Sequence, residues 1–269
     1  LLNSDLTTRV AYSAAIAQQK ADFAQTSKGR PLKIGYNYAY LEALQRHILN
    51  NYSPYAAIQK ERRNTAFSVS APTLYRYIQM GLFTQITYSH LPRAKKKKHK
   101  GKIHRQNKTN LNHRSIEMRC KAIMHRSDFG HWELDSVIGK AKGHGESVLV
   151  LTERKTRIEI ILRPKDKTAA ETTRCLRYLK HIFGRDYNKI FKTITCDNGS
   201  EFADQQAFES VGSMFFYCHP SCPSERGSNE NANILIRRKL PKGQTMKKVT
   251  QKRATHIQHW LNDYPRHIF

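Results

Sequence analysis

The spacing of apolar positions predicts helices throughout the first ninety residues. Residues 9 to 25 are rich in Ala and Gln and contain no Gly or Pro, and residues 38 to 49 place Leu and Ile on one helical face. Ser53-Pro54 combines an N-cap with proline at the first helical position and predicts a third, short helix. A fourth helix is predicted from about Ser70 to Gly81. This part of the chain is therefore expected to be all-α.

The last two of these helices form a helix-turn-helix pattern. The turn runs from Asn64 to Val69, and the outer face of the second helix offers Thr73, Tyr75 and Arg76. Because the second helix of such a unit can enter the major groove of DNA, these three residues are candidate DNA contacts. A small three-helix bundle without affinity for DNA has the same periodicity, so the pattern alone leaves both interpretations open.

Beyond residue 113 the pattern changes to short runs of alternating or β-branched residues. Strands are predicted at 132 to 138, 147 to 152, 157 to 163, 190 to 196 and 214 to 217, and helices at 167 to 183, 201 to 210, 225 to 240 and 249 to 267. Three strands followed by alternating helices and strands predict an α/β fold, with a mixed five-stranded sheet and helices on its faces.

The charge of the chain is strongly positive, with 47 Lys+Arg against 21 Asp+Glu. Residues 1 to 112 hold 19 basic and only 4 acidic residues, and the eight Lys and Arg between Arg93 and Arg105 have no carboxylate among them. We therefore predict three parts: a helical DNA-binding region at 1–92, a basic linker at 93–112 and the α/β region at 113–269. The lysines Lys95, Lys96, Lys97 and Lys98 are candidate contacts to nucleic-acid phosphates, and a merely solvated connector is the alternative.

Membrane insertion and disulfide bonding are not expected. No apolar run approaches the roughly 20 residues that a membrane-spanning helix needs. The five cysteines are odd in number, scattered and not preceded by a signal peptide, which is typical of reduced thiols in a cytosol. The expected location is therefore cytoplasmic.

Three acidic residues stand where a sheet of this kind places chemistry. Asp135 lies in the first strand, Asp197 directly follows an apolar strand, and Glu230 lies in a polar segment at the start of a helix. Three carboxylates at one sheet edge would repel each other unless cations neutralised them, and oxygen ligands favour Mg²⁺ or Mn²⁺. Two such ions would suit phosphodiester cleavage or exchange. Each acid could instead be a cap, a surface ion pair or a turn residue, and Asp197-Asn198-Gly199 is good turn chemistry in itself.

Several motifs over residues 114 to 243 resemble the catalytic core of the insertion-sequence-thirty family of bacterial transposases. They are the segments 130 to 139 (GHWELDSVIG), 152 to 157 (TERKTR), 197 to 202 (DNGSEF) and 223 to 231 (PSERGSNEN), followed by Arg237-Arg238 and Pro241-Lys242-Gly243. The resemblance implies an RNase H-like core of the retroviral-integrase type, with a DDE triad at Asp135, Asp197 and Glu230. The last two are 33 positions apart, as the family's pattern expects. Ser53-Pro54 and residues 73 to 78 also resemble the family's helix-turn-helix, which recognises transposon ends.

The chain departs from the family pattern at three positions inside the core. Ser221, Ile234 and Cys120 stand where the family tends to have an aromatic residue, Gly and Pro. Family members also usually carry a further N-terminal helix-turn-helix and a C-terminal tail. These departures leave an alternative in which the chain is a truncated, inactive DNA-binding regulator of the element. An RNase H-type nuclease is a third alternative.

The resemblance implies a transposase that cleaves and transfers DNA strands at inverted-repeat ends, with two Mg²⁺ or Mn²⁺ ions held by Asp135, Asp197 and Glu230. The basic residues around the site are expected to contact DNA phosphates, or else to be solvated on a helix face: Arg226, Arg237, Arg238 and Lys242. Glu133 and Glu201 flank the acids, either orienting neighbours or forming salt bridges. Pairing two DNA ends implies at least a dimer on DNA, at the bacterial nucleoid.

Overall fold

The computed structural model describes residues 4–5, 7, 12–26, 31–92, 113–139, 146–220 and 222–267. These residues form ten α-helices and five β-strands: α1 (Ala14–Thr26), α2 (Tyr38–Leu49), α3 (Pro54–Glu61), α4 (Ala71–Gln79), α5 (Lys121–His125), β1 (His131–Ile138), β2 (Ser147–Glu153), β3 (Glu159–Leu162), α6 (Ala169–Phe183), α7 (Tyr187–Ile190), β4 (Thr193–Cys196), α8 (Gln205–Glu209), β5 (Met214–Tyr217), α9 (Gly227–Lys239) and α10 (Gln251–Asn262). The predicted linker 93–112, with Lys95 to Lys98, and Ser221 lie outside the described residues. Within the described ranges, no helix is long and apolar enough to cross a membrane.

The five strands form one mixed sheet in the order β3-β2-β1-β4-β5. β1, β2 and β3 are an antiparallel meander, whereas β4 and β5 run parallel to β1. The α/β prediction, with five strands and flanking helices, is therefore confirmed. This order and these directions are consistent with the RNase H-like core that the resemblance implies.

Alternating side chains of the strands face two separate apolar layers. Trp132 and Leu134 of β1 pack with residues of α6, α7 and α8 on one side of the sheet. Val137 of β1 and Val150 of β2 pack with α9 and α10 on the other side. Because side chains alternate between the faces of a strand, Glu133 and Asp135 also lie on the α9 side. β1 therefore carries both of its acidic residues under helix α9.

Several predicted elements are shorter in the structure, such as α10, which was predicted at 249 to 267, and in two cases the predicted range contains more than one element. The helix predicted at 201 to 210 is a 3₁₀ turn at Ser200–Phe202 followed by the short α8, because the Asp204 side chain caps the new helix by accepting from the Ala207 N–H. The strand predicted from residue 190 begins only at Thr193, since residues 187 to 190 form the short α7. The first difference comes from local capping, and neither one changes the order of the elements.

Helices α2, α3 and α4 pack around a third apolar cluster, which includes Leu44, Ile58 and Leu74. α4 begins at an N-cap serine as expected, and Tyr75 and Arg76 are exposed on it while Thr73 is half-buried. The helices are thus present where the sequence predicts them. Their action as a helix-turn-helix stays a prediction.

The helical region and the sheet region share an aromatic contact. Tyr52, which precedes α3, stacks on Tyr264 with ring centroids 5.2 Å apart and lies against Trp260 of α10. The Arg238 guanidinium donates to the Tyr264 hydroxyl at 2.9 Å and to the Asn51 carbonyl at 3.0 Å. The predicted boundary at 93–112 therefore separates two parts of the chain that are in contact with each other.

Candidate active site

Asp135 and Asp197 are brought together by the pairing of two neighbouring parallel strands. β1 and β4 are in register at Glu133 and Thr195, and each aspartate follows two positions later along its strand direction. The Asp197 carboxylate accepts from the Gly199 N–H at 2.9 Å. A Cβ at Gly199 would lie 2.6 Å from Glu201 Oε2 and 3.0 Å from Asp197 Oδ1, so a larger residue there would displace a carboxylate. The turn chemistry of Asp-Asn-Gly and the placement of the acid are thus compatible.

The Arg226 guanidinium lies between these two carboxylates. Its Nη1 is 3.2 Å from Asp135 Oδ1 and its Nη2 is 3.1 Å from Asp197 Oδ2, and the arginine side chain is only 15% exposed. Burial lowers the pKa of Arg226, but the two carboxylates outweigh burial and raise that pKa above its ordinary value. Arg226 therefore stays charged and neutralises part of the charge of the acid pair.

Glu230 lines the same cleft from helix α9. The cleft has a volume of about 720 Å³, and its lining includes Asp135, Arg226, Glu230, Asn233, Arg237 and Lys242. Glu230 is exposed, and no hydrogen bond or ion pair is resolved for it in the described part of the chain. The structure thus brings Asp135 and Asp197 into contact with the Arg226 guanidinium. Glu230 lines the same cleft as Asp135.

The carboxylates suit a divalent cation by their chemistry. Asp135 and Asp197 are hard oxygen donors that already share one positive group, which is the environment that Mg²⁺ or Mn²⁺ prefers. Among the described residues, however, no three His, Cys, Asp or Glu side chains lie close enough together to hold a metal ion. Asp135 and Asp197 are the two acids that the structure joins through Arg226, and a metal-binding role for these aspartates and for Glu230 stays a prediction.

The remaining basic residues predicted at the site occupy different surroundings. Arg237 lines the cleft, and its Nη1 is buried without a hydrogen-bond partner among the described residues. Since buried donors are usually paired, this nitrogen is available to donate to an anion. Lys242 is exposed at the cleft rim. Arg238 instead faces the helical region, where Asn51 and Tyr264 accept its hydrogen bonds. Arg226 is engaged by the acids. The predicted phosphate contacts of all four stay predictions.

Two asparagines of α9 belong to the site although sequence reasoning did not identify them. The Asn233 amide donates to Asp135 Oδ2 at 2.6 Å, and the Asn229 backbone N–H donates to Glu133 Oε2 at 2.9 Å. Residues 226, 230, 233 and 237 have the spacing of one helical face, which is the signal that could have found Asn233. Helix α9 is thus fixed to β1 by polar contacts on both sides of Glu230.

Both flanking glutamates form salt bridges. Glu133 is fully buried and its Oε1 is 2.7 Å from the Arg154 guanidinium, while Glu201 is 3.1 Å from the Lys167 ammonium group. Burial lowers the pKa of Arg154, and the neighbouring Glu133 counteracts this shift. The salt-bridge alternative for these two residues is therefore the one that the structure shows.

Glu159 lies in a buried polar network below the same helix. Thr152 Oγ1 is 2.6 Å from Glu159 Oε2 and 2.5 Å from Asn229 Oδ1. A hydroxyl carries one proton, so a protonated Glu159 lets both short contacts be hydrogen bonds. Burial raises the pKa of Glu159 to about 7, with smaller opposing effects from Thr152 and Arg266. The Glu159 carboxyl group is therefore expected to change its protonation state near neutral pH.

Replacing Glu159 with Gln should remove a pH-dependent part of the stability. Because the folded pKa exceeds the ordinary value of 4.5, the stabilisation by the bound proton is complete below about pH 4.5 and is lost as the pH rises through 7. A pKa raised from 4.5 to about 7 corresponds to about 3 kcal/mol, so E159Q should gain about that much stability relative to wild type between these limits. Urea unfolding at several pH values measures the difference. The control E42Q, at an exposed position of α2, should follow wild type, and parallel curves for wild type and E159Q would contradict the assignment.

The chain is similar to several known transposases, in agreement with its motifs. The chain is 36% identical over 200 residues to a probable transposase for the insertion-like sequence element IS1161 of Streptococcus salivarius, which covers 74% of this chain and 55% of that protein. It is 28% identical to the transposase for insertion sequence element IS4351 of Bacteroides fragilis, over 95% of this chain and 77% of the relative. It is 34% identical to transposase InsI for insertion sequence element IS30C of Escherichia coli strain K12, over 58% and 39%. No protein-family model matches the chain.

The fold and the paired acids define an α/β protein with a mixed five-stranded sheet and a cleft, between β1 and α9, that is lined by both acidic and basic residues. Within that class, the chain is a relative of the IS30-type and related insertion-sequence transposases, with 28 to 36% identity over much of its length. The resemblance predicted from the motifs is thus confirmed. The chain spans about half the length of the Streptococcus relative.

Proposed function

We propose that the chain is a DDE transposase that cleaves DNA at the inverted-repeat ends of a mobile element and joins the freed 3′-hydroxyl to another phosphodiester. The observation that carries the proposal is that Arg226 joins Asp135 to Asp197, while Asp135, Arg226 and Glu230 line one cleft, in a chain similar to insertion-sequence transposases. Asp135 lies on β1, Asp197 directly follows the neighbouring strand β4, and Glu230 lies on helix α9 at the cleft that Asp135 also lines.

In this proposal, the acidic residues of the site would bind metal ions and the basic residues would bind DNA. Asp135, Asp197 and Glu230 would hold two Mg²⁺ or Mn²⁺ ions, which when bound would stabilise the attacking and leaving oxygens of an in-line displacement. Asn233 orients the Asp135 carboxylate through its 2.6 Å hydrogen bond. The buried, unpartnered Nη1 of Arg237 is available to a backbone phosphate, and Lys242 adds charge at the rim.

Recognition of the transposon ends is proposed for residues 1–92. Exposed Tyr75 and Arg76 with half-buried Thr73 would face the major groove, and the Lys-rich linker 93–112 would follow the phosphate backbone. Residues 113–269 would form the catalytic core. Since two ends must be joined in one reaction, the active form on DNA is proposed to be at least a dimer.

One assay separates this proposal from its two alternatives. Purified protein is incubated with a DNA duplex that carries the element's own ends, with Mg²⁺, Mn²⁺ or EDTA, and the products are resolved on denaturing gels. A transposase gives a metal-dependent nick at the end and a strand-transfer product. A control duplex with scrambled ends should give neither.

The other outcomes would each favour a different protein. Tight binding to the ends without cleavage in either metal would establish the DNA-binding regulator, which uses only residues 1–92 and the linker. Faster cleavage of an RNA–DNA hybrid than of the duplex ends would establish an RNase H-type nuclease. Either result would overturn the transposase proposal.

A further inference from the structure

Arg226 contacts both aspartates that are proposed to bind metal. One guanidinium spans both aspartates, with one nitrogen on each carboxylate at 3.2 and 3.1 Å. A guanidinium offers its donors in a rigid planar fork, so this bridge fixes the separation of the carboxylates as well as their charge. The arginine precedes α9 directly and reaches the acids from the same segment that carries Glu230.

We infer that Arg226 holds the place of the divalent cation between Asp135 and Asp197, and that metal binding displaces this side chain. The inference rests on the proposed function, since it concerns the metal ions assigned to the same carboxylates. A cation and the guanidinium cannot both occupy the facing oxygens of Asp135 and Asp197. The protein without metal thus has an acid pair that is partly neutralised and held in position by its own residue.

Displacement has a defined energetic consequence. The metal binds only to the fraction of molecules in which the guanidinium has left, so the apparent affinity is reduced by that fraction. Without Arg226, the two carboxylates would face each other without a positive group between them, which lowers the stability of the metal-free protein. The same arginine therefore stabilises the empty site and weakens the filled one.

The test compares Mn²⁺ binding by the full chain without DNA in wild type, R226Q and two controls. R226Q should bind Mn²⁺ about tenfold more tightly if the open state is populated in roughly one molecule in ten. R237Q removes the same charge from the same cleft without touching an aspartate, and it should change the affinity much less. D197N removes a ligand and should weaken binding. Isothermal titration calorimetry and Mn²⁺ electron paramagnetic resonance give the affinities.

Thermal unfolding provides a second readout that does not depend on catalysis. R226Q should melt below wild type without metal, and saturating Mn²⁺ should raise its melting temperature by more than it raises that of wild type. R226K, which keeps the charge but not the fork, should lie between the two and provides a folded alternative if R226Q does not fold.

The possible failures are distinguishable from each other. Equal or weaker Mn²⁺ binding by R226Q, with D197N still reduced, would overturn displacement while leaving the proposed metal site intact. An equal gain in R226Q and R237Q would reduce the effect to general charge and would also overturn it. No Mn²⁺ binding by wild type or any variant would overturn the metal-dependent function together with this inference.

Discussion

The variant Asp197→Asn is expected to lose Mg²⁺-dependent strand cleavage by roughly 10³-fold or more, because it removes the charge of one proposed metal ligand. The substitution keeps the shape of the side chain. Its carbonyl oxygen can still accept from the Gly199 N–H at the turn after β4, so the local fold should be preserved. Binding to the transposon ends should be unchanged, since the proposed recognition residues lie in 1–92.

A matched control makes the loss specific to the site. D186N changes an exposed aspartate that pairs only with Lys189 among the described residues, and it should cleave like wild type. Cleavage rates come from a time course on labelled duplex ends, and binding comes from gel shifts of the same duplex. Cleavage by D197N within a few-fold of the wild-type rate would exclude Asp197 from the chemistry.

Glu133→Ala is expected to destabilise the fold by about 3 to 5 kcal/mol, because it leaves the buried Arg154 guanidinium without its carboxylate. Both side chains are shielded from water, with exposures of 0% for Glu133 and 5% for Arg154. The substitution also removes the acceptor of the Asn229 N–H at the start of α9. Urea unfolding followed by circular dichroism measures the change.

The double variant Glu133→Leu/Arg154→Met provides the control for this prediction. It removes both charges from the buried position, so it should recover much of the stability that E133A loses. The exposed pair of Asp186 and Lys189 is the surface reference, and D186A should change stability little. A loss below about 1 kcal/mol in E133A would contradict the burial of an uncompensated charge.

The order of secondary-structure elements was predictable from the sequence because each strand carries its own local pattern. β1 alternates apolar and polar residues, and β5 is a short aromatic run, so both emerge from period and composition alone. Bounds were less predictable where one side chain decides them. The Asp204 cap, which splits the helix predicted at 201 to 210, is such a case.

The membership of the site was only partly predictable. Asp135, Asp197 and Glu230 follow from position and motif, but their separation depends on the parallel pairing of β1 with β4, which no local pattern specifies. Arg226 was expected at a phosphate because its charge fits DNA, whereas the structure places it between two carboxylates. The tertiary fold determines which charged groups come into contact. The charge of a residue alone therefore does not show whether it contacts a phosphate or a carboxylate.

Helix α3 touches two apolar cores through adjacent residues. Ala57 belongs to the cluster of the helical region, and Ala56 belongs to the cluster between the sheet and α10. Both side chains are fully buried, and neither can move without disturbing its own layer. If α3 and α4 bind a transposon end as proposed, the cleft would therefore lie at a fixed distance from the recognised sequence along the bound duplex. That distance would set how many base pairs separate the recognised sequence from the cleaved phosphate.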